Sequence, residues 1–138
     1  MIGFAGFVSL YLAAFNGILA FTLGTCTQNS ADELLGGGLS LALYLVSAIC
    51  FIFARHMRFA FLVIVPPLPF IAWQIQFTFQ LTYGYLVAGK SACEVIHDLP
   101  YEMDGRESLF IGLWTATCLA AICAIILAIY RGMPKATG

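Results

Sequence analysis

Residues 59–88 read FAFLVIVPPLPFIAWQIQFTFQLTYGYLVA, a run without a single charged side chain. As one helix it would measure about 45 Å, against a bilayer hydrocarbon core of about 30 Å. The run is therefore read as a membrane span with length to spare. Pro66, Pro67 and Pro69 lack backbone donors, so the helix is expected to kink or restart near them. The second half carries Gln74, Gln76, Thr78, Gln80 and Thr82. At about 100° per residue, Trp73, Gln76, Gln80 and Tyr83 gather on one face, and Gln74, Thr78 and Tyr85 on nearly the opposite one. A helix polar on two sides cannot turn either side to lipid cheaply, so both are expected to meet protein or water. Gln76 and Gln80, on the Trp73 face, are the positions expected to respond most to replacement.

The rest of the chain fits that reading. It is 138 residues long, 62% hydrophobic and only 9% charged, whereas soluble domains carry about a quarter charged residues. Polar islands divide it into apolar runs at about 2–23, 37–54, 59–88 and 109–130. The fold class this implies is an all-α integral membrane protein, a four-transmembrane-helix bundle forming a single membrane domain over 1–138. The lipid bilayer is its first partner. A net charge of −1 offers no basic stripe for nucleic acid.

No basic residue precedes the first run and its apolar length exceeds a signal-peptide core, so it is expected to stay as a helix. Ala13 and Gly17 are four residues apart, as are Ala20 and Gly24, giving rows where another helix can approach closely. Asn16 is the one strongly polar residue of that run, read as an interhelical hydrogen-bonding group. In the first island, Ser30 and Glu33 have capping-box spacing. Gly36, Gly37 and Gly38 are expected to break the resulting turn and release the chain into span two. Arg55-His56-Met57-Arg58 is so short a link that spans two and three must form a hairpin. In span four Gly112, Ala116, Ala120, Ala124 and Ala128 recur every four residues, a ridge suited to close helix packing.

Basic residues in short loops set topology. Arg55, Arg58, Arg131 and Lys135 fall on one side of a four-span arrangement, Lys90 and Arg106 on the other. Both termini are thus expected in the cytoplasm, with two extracytoplasmic loops, and the location is read as a bacterial inner membrane. Cys26 and Cys93 then lie on the oxidising side and are expected to form a disulfide. Cys50, Cys118 and Cys123 fall within spans and read as packing residues.

No Asp, Glu, Lys, Arg or His lies inside a span. Pumps, voltage sensors and proton-coupled transporters, including four-span exporters that depend on a membrane glutamate, need such a group. Haem ligation within the bilayer would need histidines there, and His56 and His97 lie outside. Glu94, His97 and Asp98 are weak metal candidates: Glu94 and His97 have i, i+3 spacing, but Pro100 interrupts the segment, and carboxylates in such a loop are ordinarily just solvated. No cofactor and no catalytic set is expected. The chain is read as a non-enzymatic inner-membrane protein that works through helix–helix partners, as an accessory or assembly subunit or an inhibitor or immunity protein. Its partner is another membrane protein or a second copy. The alternative is a small oligomeric transporter or channel for a neutral solute, its path lined by Asn16, Gln74, Gln76, Gln80, Thr115 and Thr117. A reporter active only outside the cytoplasm, fused after Gly138, is expected to give no signal; activity there would reverse the orientation.

Overall fold

The computed structural model describes residues 1–23, 31–55, 57, 59–98 and 105–133. Among these the chain is 87% helix with no strand, which makes the fold all-α. The elements are α1 (Ile2–Leu23), α2 (Ala31–Phe53), α3 (Ala60–Ile64), α4 (Leu68–Ala88), α5 (Ala92–His97) and α6 (Glu107–Gly132). Three of them, α1, α2 and α6, are long and apolar enough to cross a membrane. The expectation was four. α4 has the length, at 21 residues, but its three glutamines and two threonines leave it less apolar than the others.

The outside of the molecule is oily and the inside is partly polar. Phe4, Leu62, Phe79 and Leu86 are each at least 70% exposed, whereas Ser40, Ser47, Gln74 and Thr117 are almost completely buried. That inversion suits a lipid solvent, in which apolar side chains lose nothing by facing outward.

α1 and α2 form the most extensive interface, and they run antiparallel. Ser47 Oγ donates to Gly6 O at 2.8 Å near one end, and Asn16 Nδ2 donates to Gly36 O at 2.8 Å towards the other. The backbones come close because small residues line the contact. A Cβ on Gly6 would sit 2.7 Å from the Phe51 ring, and one on Gly36 would overlap the Ala20 methyl. The three glycines do not interrupt α2, which runs unbroken through them from Ala31. Their helix-weakening tendency is outweighed because Gly36 and Gly37 are where α1 and α6 press against the backbone.

Residues 59–88 form two helices separated by a turn at Val65–Pro67. The cause is local. Pro67 has no N–H to give to Val63 O, four residues back, and Tyr11 OH supplies the missing donor at 2.8 Å. Pro69 likewise has none for Val65 O, which accepts from Leu68 N at 3.2 Å instead. α4 then starts with proline in its first turn and ends at Gly89 in the left-handed conformation, φ +63°.

α4 lies parallel to α1 and antiparallel to α6. Its buried residues Ile71, Gln74, Thr78, Leu81 and Gly84 form one narrow stripe. α6 returns to the Arg55 end, where Arg131 O accepts from Met57 N at 3.1 Å and an Arg131 NH2 group donates to Ile52 O. Only part of the expected small-residue ridge on α6 is used: Ala120, Ala124 and Ala128 are buried, Ala116 is half-buried, and Gly112 is exposed with nothing near it.

Candidate functional site

The polar residues of the interior hydrogen-bond across the helices in small separate groups. Gln74, 1% exposed, stands at the centre of one of them. Its Nε2 donates to Ala14 O of α1 at 2.8 Å, and its Oε1 accepts from Tyr44 OH of α2 at 3.0 Å. One amide thus joins three helices. On α1 the space it occupies is opened by Gly17, where any Cβ would overlap the Gln74 amide. One turn further along α4, Thr78 Oγ1 accepts from Cys118 Sγ of α6 at 3.4 Å.

Around Gln74 the bonds share one form. Ser40 Oγ donates to Ala13 O at 3.2 Å, and Asn16 Nδ2 also reaches Ser40 Oγ at 2.8 Å. Thr117 Oγ1 donates to Leu113 O at 2.8 Å within α6 and leans towards Gly37 O at 3.4 Å. In this interior the backbone carbonyls reached across helices belong to Gly6, Ala13, Ala14, Gly36 and Gly37; outside it, Val63 O, freed by Pro67, and Ile52 O, in the last turn of α2, accept from Tyr11 and Arg131. Within an unbroken stretch of helix, a residue with little or no side chain leaves its carbonyl reachable from the next helix. The spacing of Ser40, Tyr44 and Ser47, one face of α2, was the readable signal for half of these bonds, and the sequence reading passed over it.

α4 divides its polar residues cleanly. Gln74 and Thr78 turn inward, whereas Gln76, Gln80 and Tyr83 are exposed on the far side with Trp73 at their edge. The two opposed faces read from the sequence are both present, but the chain itself covers only one. The buried glutamine that ties the fold together is Gln74, not Gln76 or Gln80. Nor do the residues suggested for a solute path converge within one chain: Asn16, Gln74 and Thr117 are engaged inside, and Gln76, Gln80 and Thr115 face out.

Towards the end opposite Arg55, an aromatic group closes the bundle. Phe21 meets Trp114, Phe77 and Trp73 with ring centroids at 3.9, 4.6 and 5.8 Å. The Trp114 indole N–H is buried there with no partner among the described residues. α5 packs against the same group through Ala92, Val95 and Ile96. Its cap explains why so short a helix forms: Ser91 Oγ accepts from Glu94 N at 3.1 Å, and Asp98 closes it in the left-handed conformation.

Glu94, half-buried, pairs with Lys90 Nζ at 3.7 Å; Asp98 is exposed; the His97 side chain lies outside the described residues. No group of three or more metal-ligating residues occurs among the described residues. Cys26, His56, Arg58 and Lys135 also fall outside them. Cys93 is buried and is not among the free thiols of the described residues, Cys50, Cys118 and Cys123. Comparison with protein-family models, curated proteins and solved structures returned no match.

Gln74→Leu is expected to lower the unfolding free energy in detergent by about 0.6–1.7 kcal/mol, the range for interhelical hydrogen bonds in membranes. Stranding the Tyr44 hydroxyl would add to that loss, so Gln74→Leu combined with Tyr44→Phe should cost less than the two single changes summed. If Gln80→Leu destabilises the isolated chain more than Gln74→Leu does, α4 does not pack as described.

Proposed function

We propose that this chain is a non-catalytic, polytopic membrane protein that acts through association of its helices with a membrane-embedded partner, as an accessory or assembly subunit or an inhibitor or immunity protein. In this reading α4 crosses the bilayer as a fourth span, both termini are cytoplasmic, and the membrane is a bacterial inner membrane. The observation that carries it is the exposure of Gln76 and Gln80 on α4. They lie two residues either side of Thr78, the midpoint of the helix, so each sits about 3 Å from the bilayer centre. A primary amide facing hydrocarbon there leaves its donors and acceptors unmet, at a cost of a few kcal/mol. A partner helix removes that cost. Placing a photo-activatable side chain at position 80, in living cells, is expected to give a discrete protein adduct. The same probe at Phe15, an outward apolar position, is expected to give none. Monomer alone at both positions would overturn the reading.

The Cys26–Cys93 disulfide belongs to the same proposal. Cys93 sits on α5, whose neighbours Ala92, Val95 and Ile96 pack near Ala20 and Phe21, close to the end of α1. Cys26 follows that helix by three residues in sequence. Closing so long a loop is worth about 4 kcal/mol in the chain-entropy picture, an upper figure for a chain already threaded through a bilayer. Non-reducing peptide mapping is expected to recover the Cys26–Cys93 pair; two alkylatable thiols in protein purified under oxidising conditions would remove the bond from the scheme.

A further inference from the structure

We propose that the partner of the outer face of α4 is a second copy of this chain, joined through α4 about a two-fold axis along the membrane normal. The inference rests on the reading that α4 spans the bilayer and needs a partner there; it adds which partner, and in what geometry.

The first argument is spacing. Trp73, Gln76, Gln80, Tyr83 and Val87 are separated by three, four, three and four residues. That is the seam by which two helices pack side by side in a shallow left-handed crossing near +20°. Tyr83 and Val87 are 57% and 66% exposed and both glutamines are exposed, so the seam is uncovered from Gln76 to Val87, while Trp73 at its edge is partly covered by Phe21 and Phe77 of its own chain. The inner stripe Ile71, Gln74, Thr78 and Leu81 has the same three-four-three spacing and is fully used within the chain. α4 thus carries two seams, of which one is occupied.

The second argument is the chemistry of self-pairing. Every copy of a membrane protein enters the bilayer in one orientation, because its basic residues set the topology once. Two α4 helices from two copies therefore meet parallel, and a two-fold axis along the normal brings each residue opposite itself. A polar seam can survive that symmetry only if each side chain both donates and accepts. Glutamine does so through its carbonyl and NH2, and tyrosine through its hydroxyl. Gln76, Gln80 and Tyr83 all qualify; Trp73, a donor only, lies at the edge of the seam, stacked on Phe77 of its own chain. α4 contains no charged residue, so no like charge is brought onto the axis. A partner of different sequence would impose no such restriction on the face.

The test uses the full chain in membranes. Cysteine is placed singly at positions 76, 80 and 83, and at the off-seam positions 75 and 86, with the unmodified chain as the background for its native cysteines. Oxidative crosslinking is expected to give a dimer for the three seam positions and not for the two others. In a bilayer energy-transfer measurement of dimerisation, Gln76→Leu with Gln80→Leu is expected to raise the dissociation constant about tenfold, two lost interhelical amide pairs at the membrane average. Dimers crosslinked at 75 or 86 instead, or a dissociation constant unmoved by the double change, would overturn the two-fold seam. If the seam cysteines give no dimer while the position-80 photo-probe captures a different protein, the second copy is wrong and the partner reading stands. If neither captures anything, both fall.

Discussion

One amide holds three helices in register. Gln74 gives a proton to α1 and takes one from α2, and the helix that carries it reaches α6 one turn later through Thr78. In a lipid solvent, apolar packing alone discriminates poorly between neighbouring registers, because lipid tails are as apolar as leucine. A buried amide discriminates sharply. Sliding α4 by one residue against α1 would carry Gln74 away from both Ala14 O and Tyr44 OH, and its amide would then be stranded in a dry interior. The cavity that admits it exists only because position 17 is glycine, so helix α1 specifies where α4 can dock.

The proline break serves the same end by a different route. Had residues 59–88 formed one straight helix, its surplus length would have had to tilt or protrude. Instead α3 packs Ala60 and Ile64 against Phe51 and Ala128, and α4 restarts at Leu68 at an angle free to follow α1. The carbonyl freed by Pro67 is met by Tyr11 from that same helix. Of the two carbonyls left by Pro67 and Pro69, the first is answered by α1 and the second within the turn by Leu68 N.

Much of this was legible in the residues, and the gaps have physical causes. The apolar runs located α1, α2 and α6 because length and hydropathy depend on one segment at a time. The two polar faces of α4 were likewise readable from helical angles. Which face turned inward was not, since that depends on whether a neighbour offers a gap and an acceptor, and both are properties of α1 and α2. The glycine run at 36–38 misled for a related reason. In isolation three glycines favour a break, yet here their lack of side chains lets Ala20 and Trp114 lie against the backbone, and that packing holds the helix. The ridge on α6 leaves the interface because residues four apart advance about 40° around a helix at each step, so Gly112 has rotated outward while Phe110 and Trp114 fill the interior at that level.

The small residues of this fold act as more than spacers. Ser47, Ser40, Gln74, Asn16 and Thr117 direct their donors at carbonyls of Gly6, Ala13, Ala14, Gly36 and Gly37. A backbone carbonyl already accepting within its helix has a second lone pair, so these bonds add to the helices without competing with them. They also need no polar side chain on the accepting helix. α1 can therefore remain almost entirely apolar, and insert as such, while still being recognised at defined positions by polar groups on its neighbours. Where the acceptor is a backbone carbonyl, one polar side chain is desolvated instead of two, and matched side-chain pairs are added only at Asn16–Ser40, Tyr44–Gln74 and Cys118–Thr78 among the described residues. The outer face of α4 lacks this arrangement. Its glutamines are exposed, and among the described residues no small-residue carbonyl meets them as Ala14 O meets Gln74.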